Sequence, residues 1–594
     1  MARGGIRMSR LLWVFVAFIL GFAAVLFRLV DLQVLERETL AEEGERIRTK
    51  FELIEARRGN IRDRNQNLLA TSLTVRQVGV DPESIDPEDK SKWHNLAKLL
   101  EIPYSEVYQK MKGGSRKVEG KVVPIRWNVL KDDVEERTYR EILKLEIKGV
   151  YGNRHFKRVY PNETLAAHIL GYVNKEETAV AGVEKEMNFY LEGQTGWLET
   201  EWDGKRQEMA QFRKRQVDPT DGFHVSLTID MMVQHVIELE LKKIAEYDPD
   251  GATIIVSDPA TGSILGLANW PTYDPNEYFN TVKYPVAYQR NLAISDIYEP
   301  GSTFKVVPVG AALSEELVSP STTFNCSLDR IPYQGRIVRL PDDHGEDLGT
   351  LTVEDIIARS SNRGAANIGI LLGEDKLYQY AHAFGFGEKT GVLLGPEREG
   401  ILHEPKDWDG LTISRLPMGH AIAVTPLQAH FAMSVLANDG VLMKPQILSQ
   451  VEDAEGNIIA EYEPKAIRRV ISSSAARVLS RMLVKTVSPE GTAPQAQIPG
   501  MEVAGKTGTA QRIKPSGGYS HSEVDASFIG YFPASDPRLV ISVVIYNPQK
   551  GIRYGGHLAG PAFKSVAEQL IHHLGISPKA PIRGFIAGLE EKEE

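Results

Sequence analysis

Seventeen consecutive residues, Leu11 to Phe27, carry no charge, and Arg3, Arg7 and Arg10 precede them while Arg28 follows. At 1.5 Å per residue the run approaches the roughly 30 Å of bilayer hydrocarbon, and Arg28 can snorkel to lengthen the span. The pattern predicts one membrane-spanning helix, residues 11–30, with residues 1–10 in the cytoplasm by the positive-inside rule and the rest of the chain outside. After Phe27 the chain reads RLVDLQVLERE, without the small residues of a cleavage site, so an uncleaved anchor is expected.

Beyond the anchor, residues 31–221 are rich in charge. VVPIRW (122–127) alternates like a strand, and DDVEERTYREILKL (132–145) is spaced like a helix. A second segment, 222–576, opens on the strand-like HVSLTID (224–230) and a predicted amphipathic helix from Met231 to Tyr247. ATIIVSDPATGSILGLAN (252–269) follows, two β-rich runs around Pro259, Thr261 and Gly262 that predict a hairpin. ASFIGYF (526–532) and LVISVVIY (539–546) are two further strands. Helix and strand patterns mix without regular βαβ alternation, so the class is α+β rather than doubly wound. Residues 577–594 form a polar tail, acidic at its end.

The 594 residues call for two or three domains, and the net charge of −10 argues against a nucleic-acid partner. Cys326 is the only cysteine, so neither an intrachain disulfide nor a thiolate cluster can form. No H-E-x-x-H occurs, His572-His573 is expected as a surface pair, and neither metal nor cofactor is implied.

GMEVAGKTGTAQ (500–511) satisfies both the phosphate-cradling G-x-x-x-x-G-K-[ST] and the K-T-G of serine acyl-transferring enzymes. A phosphate loop would need a helix after Thr507, where Gly508, Pro515, Gly517 and Gly518 stand, and a nucleotide outside the cell. The acyl-transfer reading has partners. In YEPGSTFKVV (298–307), the chain's only S-x-x-K, Ser302 and Lys305 are three apart, which on a helix puts a hydroxyl beside an amine. Ser360 and Asn362 form S-x-N in ARSSNRGAANIG (358–369), a string that otherwise suits a helix cap. A second K-T-G at Lys389-Thr390-Gly391 lies among glycines and reads as a loop, so Lys506 is taken as the functional copy.

S-x-x-K, S-x-N and K-T-G-T in this order within one segment resemble a class B penicillin-binding protein. ARRGNIRDRNQNLLAT (56–71), DGFHVSLTID (221–230), WPTYDPNEY (270–278), AVTPLQA (423–429) and RYGGHLAGPAF (553–563) extend the resemblance over nearly the whole chain, and SFIGYFPASDP (527–537) is similar to the septal branch. The resemblance implies an elongated pedestal of the dimerisation type (31–221) and a serine β-lactamase-like transpeptidase domain (222–576), an antiparallel sheet flanked by helices. It also implies Ser302 as nucleophile, Lys305 as its base, Ser360 as proton carrier and Lys506 beside it. Asn362 would orient the substrate amide, and Thr507, Gly508 and Thr509 would complete the site, the threonines binding a terminal carboxylate. Gln66 and Ala421 stand where the family usually has glycine.

The implied substrates are peptidoglycan stem peptides, with β-lactams as inhibitors. A polytopic glycan polymerase and divisome proteins are the implied partners, in a bacterial cytoplasmic membrane. A D,D-carboxypeptidase, an elongation-type enzyme, a β-lactamase and a non-catalytic scaffold or sensor are the rival readings. Strict strand alternation would put Lys506 and Thr507 on opposite faces, so both can serve one site only at a strand edge.

Overall fold

The computed structural model describes residues 5–40, 49–118, 121–201, 215–343, 345–514 and 518–577. Outside them fall residues 1–4 of the expected cytoplasmic end, 515–517 of the loop after K-T-G, and all but the first residue of the expected tail. The chain divides into two compact units, Met1–Arg57 with Gly193–Gly222, and Arg58–Glu192 with Phe223–Glu594.

The first unit holds helix α1 (Gly5–Val30), whose large apolar side chains are left open: Trp13, Phe22 and Phe27 are 74%, 70% and 73% exposed. Leu11–Leu35 is long and apolar enough to cross a membrane. A helix apolar all round and unburied by protein matches lipid as its solvent. The unit also has a three-stranded antiparallel sheet, with Gly196–Glu201 between Thr49–Ile54 and Arg215–Val217.

Two sheets organise the second unit. In one, His224–Leu227 pairs parallel to Ile61–Arg62 and antiparallel to Leu448–Glu452, so strands more than 380 positions apart in the chain share one hydrogen-bonded surface. The long strand Leu68–Val80 extends it, pairing with both Asn128–Glu135 and Val150–Val159. Here one expectation is corrected: residues 132–135 are strand, and the helix runs only over Glu136–Leu143. Pairing with Leu68–Val80 and burial of Val134 outweigh the helical spacing of DDVE. Likewise VVPIRW is strand only through Pro124, within Lys121–Pro124.

The other sheet has five antiparallel strands: β1 (Gly251–Ser257), β2 (Ile264–Trp270), β3 (Ala504–Ile513), β4 (Tyr519–Phe532) and β5 (Leu539–Tyr546), in spatial order β2-β1-β5-β4-β3. The expected hairpin is β1–β2, Ala252 facing Trp270. All residues of β1 and β5 are buried, as interior strands covered on both faces require. Helices α2 (Met231–Ile244) and α7 (Gly555–Leu574) contribute to the core that includes Phe528, Phe532 and Ile541. Helices α3 (Val306–Ser314), α4 (Asn362–Leu372), α5 (Pro426–Ala437) and α6 (Ser473–Thr486) contribute to the larger core that takes Ile529, Tyr531, Val540 and Val544 from the sheet. Every residue of α5 is buried, and each large side chain such as Leu427 or Phe431 contributes about 1.5–3 kcal/mol by leaving water. His573 is not idle on the surface: its Nε2 lies 3.0 Å from both carboxylate oxygens of Asp230, which caps α2.

Gln66 and Ala421 adopt the left-handed conformation, φ +66° and +60°. That is the region glycine enters without penalty, and a side chain there costs about 1–2 kcal/mol. Gln66 recovers part of this: its Nε2 donates to Ser226 Oγ (3.3 Å), and its Oε1 accepts from Arg62 (3.1 Å).

Candidate active site

Ser302 and Lys305 lie in a 3-10 turn, Gly301–Lys305, that runs directly into α3. Positions i and i+3 eclipse in such a turn, so the two side chains stack on one side. Gly301 enters it with φ +53°, its N–H donating to Gly419 O (3.1 Å). A Cβ on Gly419 would fall 2.0 Å from Gly301 O, so the backbones meet where no side chain fits. Ser302 is half-buried, and its hydroxyl engages no group among the described residues.

Lys305 is fully buried, and its Nζ donates to Ser360 O (2.5 Å), Asn362 Oδ1 (2.7 Å) and Ser360 Oγ (3.2 Å). Both S-x-N residues are thus drawn onto the amine. Ser360 takes φ +61°, which turns the chain back before α4 begins. Between them Ser361 caps that helix, accepting from Gly364 N–H (3.0 Å), so the plain capping role of this string also holds. The loop is held by two aspartates that sequence reasoning passed over. Asp343 accepts from Ser361 Oγ (2.9 Å), Arg363 N–H (3.2 Å) and Asn362 N–H, and Asp342 O accepts from Asn362 Nδ2 (2.8 Å). No motif marks them, since they lie some twenty positions upstream in an irregular loop.

Lys506, also fully buried, sits on β3, the edge strand of its sheet. Its Nζ lies 2.9 Å from Ser360 Oγ, 3.3 Å from Thr507 O and 3.4 Å from Thr507 Oγ1. β3 lies at the sheet edge, the position the alternation problem requires, and the Lys506 amine reaches the Thr507 hydroxyl there. Gly508 is needed because a Cβ would stand 2.4 Å from Ser527 Oγ and 2.9 Å from Pro300 O, holding the strand off the nucleophile's turn. Thr507 Oγ1 pairs with Thr492 Oγ1 (3.0 Å), and Thr509 Oγ1 accepts from Gly555 N–H (3.0 Å). The phosphate-loop reading fails on this geometry, since Ala504–Ile513 is continuous strand. The second K-T-G is loop, with Thr390 and Gly391 N–H donating to Glu397 (2.8 and 3.0 Å).

Ser360 Oγ therefore lies between two buried amines. Burial, reinforced by Lys506 and opposed by Asp343, holds the Lys305 amine well below the ordinary lysine range. Burial pushes Lys506 down to about 7. An amine so depressed, one turn from an unengaged hydroxyl, can act as base to that nucleophile, and a hydroxyl shared between two amines can carry a proton.

The Penicillin binding protein transpeptidase domain model matches residues 252–568, and the Penicillin-binding Protein dimerisation domain model matches 53–227. The chain is 31% identical to stage V sporulation protein D of Bacillus subtilis, over 95% of this chain and 86% of that one. It is 27% identical to the peptidoglycan D,D-transpeptidase FtsI of Escherichia coli, over 95% and 92%. Penicillin binding protein 3 of Mycobacterium tuberculosis, solved in complex with aztreonam, superposes with a TM-score of 0.68 at 25% identity, covering 89% of this chain and 99% of that one. The buried lysine pair and the two matched domains in their order agree: the chain belongs to the penicillin-binding protein transpeptidase family.

Proposed function

We propose that this chain cross-links peptidoglycan stem peptides through an acyl-enzyme on Ser302. As Ser302 Oγ bonds to the carbonyl carbon between two terminal D-alanines, its proton passes to Lys305. The tetrahedral oxyanion is held by backbone N–H groups of Ser302 and Thr509. Collapse breaks the peptide bond, and the departing D-alanine nitrogen takes a proton through Ser360. An amine of a neighbouring stem then attacks the ester, its proton returns through the same groups, and Ser302 is released. Asn362 orients the substrate amide, and Thr507 and Thr509, with Lys506 behind them, bind the terminal carboxylate, Gly508 letting the strand close on it.

The observation that carries this reading is Lys305: an amine buried, held well below the ordinary lysine range and bonded to both residues of S-x-N, three positions from an unengaged hydroxyl. The arginines before the apolar run, Arg3, Arg7 and Arg10, support a cytoplasmic amino end with the catalytic unit on the outer side of a bacterial cytoplasmic membrane. The family resemblance supports a septal role beside a polytopic glycan polymerase and divisome proteins. The 31% identity to a sporulation protein favours a second reading, the same chemistry serving spore formation.

Labelling with a fluorescent penicillin and mapping the modified peptide tests the chemistry. The adduct is expected on Ser302, lost in Ser302→Ala and long-lived, which separates the enzyme from a β-lactamase. Cross-linked dimers rather than trimmed monomers exclude a carboxypeptidase. A strain living on Ser302→Ala with normal division would leave only a scaffold.

A further inference from the structure

Toward the end of β3 remote from Lys506, where Ile513 pairs with Tyr519, a polar cluster stands beside the nucleophile's turn. Glu299, three residues before Ser302, accepts from Ala421 N–H (3.0 Å) and Tyr519 OH (3.2 Å) on Oε1, and its Oε2 lies 2.9 Å from His420 Nδ1. The His420 and Tyr519 rings meet edge to face at 5.0 Å. Glu299 is thereby tied into this cluster through Oε1.

Next to this cluster are two guanidiniums. Arg415, whose carbonyl accepts from His420 N–H (3.2 Å), is partly buried, yet among the described residues its guanidinium has one hydrogen-bond partner, Ser414 Oγ at 3.5 Å. Arg339 is tied to the same place, its carbonyl accepting from Ser414 Oγ (3.1 Å). Neither arginine forms an ion pair with any carboxylate among the described residues. Asp409, whose charge opposes the depression of Arg415, accepts on Oδ1 from Leu411 N–H, Thr412 N–H and Thr412 Oγ1 (2.9, 2.8 and 2.8 Å) and forms no ion pair with either arginine. Burial, and then the neighbouring Arg339, depress the pKa of Arg415. Arg339 also leads, through Leu340 and Pro341, into the aspartates that hold Asn362. Two like charges, one of them half-buried, placed near each other without an ion pair are better accommodated when an anion joins them.

We propose that Arg339 and Arg415 form a carboxylate subsite that reads a second carboxylate of the stem peptide, upstream of the scissile bond and distinct from the terminal one. This rests on the acyl-transfer reading above and deepens it. A peptide added as a strand along the free edge of β3 advances roughly 3.3 Å per residue. With its terminal carboxylate at Thr507 and Thr509, residues two or three places upstream travel on the order of 7–10 Å toward the Tyr519 end. Guanidinium forks match carboxylates bidentately, so the pair favours peptides that carry a free carboxylate there over amidated or neutral ones.

The test uses the full chain in detergent and measures how far pentapeptides slow fluorescent-penicillin labelling of Ser302, relative to each variant's own rate without peptide. One peptide keeps every carboxylate; two others are amidated at the second residue or at the side chain of the third, which tells the two sources apart. For the native protein, one amidation is expected to weaken competition by on the order of tenfold to a hundredfold. Arg415→Ala and Arg339→Ala should weaken the free peptide by a similar factor and erase the difference between peptides, with Arg415→Lys restoring part of it. Should Arg415→Ala fail to fold, the exposed Arg339 carries the test. Equal competition by all three peptides, or undiminished discrimination in both alanine variants, overturns the subsite. Absence of any adduct on native Ser302 overturns the acyl-transfer reading instead.

Discussion

Lys305 and Lys506 are each 0% exposed, and no pair of amines would be placed so without partners. Their three-way link through Ser360 Oγ makes each substitution costly in its own way. Lys305→Met keeps the volume and removes the base, so penicillin acylation should fall by on the order of a thousandfold or more while the thermal midpoint holds or rises. Asp343→Ala strands two backbone N–H groups and the Ser361 hydroxyl; a loss of about 2–4 kcal/mol in denaturant titration is expected, with Asp343→Asn recovering part of it because an amide oxygen can still accept. Lys506 also leaves a mark on pH dependence. Its pKa is about 7 in the folded chain against roughly 10.4 unfolded. Between those values only the unfolded chain binds the proton, so burial penalises folding fully below pH 7 and the penalty is relieved as pH rises toward 10. Denaturation midpoints measured across that window should rise more steeply for the native protein than for Lys506→Met.

At the scale of elements, the site is a junction between the edge strand β3, the 3-10 turn that starts α3, and the loop that starts α4. The junction depends on bare backbone. A Cβ at Gly508 would collide with Ser527 Oγ and Pro300 O, so Gly508→Ala should push β3 outward, destabilise the protein by about 1–3 kcal/mol and abolish labelling of Ser302. Ala421 gives the opposite case. Its φ of +60° is strained for alanine and its side chain accepts no hydrogen bond, so Ala421→Gly is expected to stabilise by up to about 1 kcal/mol; a lower denaturation midpoint would refute the strain argument.

For the whole molecule, the seven-stranded sheet is the feature with the widest reach, because Ile61–Arg62 from the amino-terminal part supplies a partner to His224–Leu227. A fragment beginning at residue 222 would expose that strand's edge. It should aggregate or melt earlier than a chain that keeps residues 58–192, as seen by light scattering and calorimetry. Removing residues 1–40 is a milder cut: the product should leave the membrane fraction yet label with penicillin at the native rate.

Much of this was legible in the sequence, for a physical reason in each case. The apolar amino-terminal helix, the β1–β2 hairpin and the strands β4 and β5 are written in local periodicity, and Ser302 and Lys305 fall within one turn. The order of the three motifs was enough to point to a serine acyl transferase. What local pattern could not carry was decided by packing. Residues 132–135 became strand because a distant strand offered its hydrogen bonds. Asp342 and Asp343 hold Asn362 from a loop without any motif. The Lys506 amine meets the Thr507 hydroxyl on β3 at the edge of its sheet, a position set by the tertiary strand order. The depressed basicity of Lys305 is a tertiary property as well, since an isolated turn in water would leave that amine solvated. Sequence by itself determined which groups the chain possesses and the short-range pairs they make; the folded structure alone determined which distant groups share a low-dielectric pocket, and with it their charge.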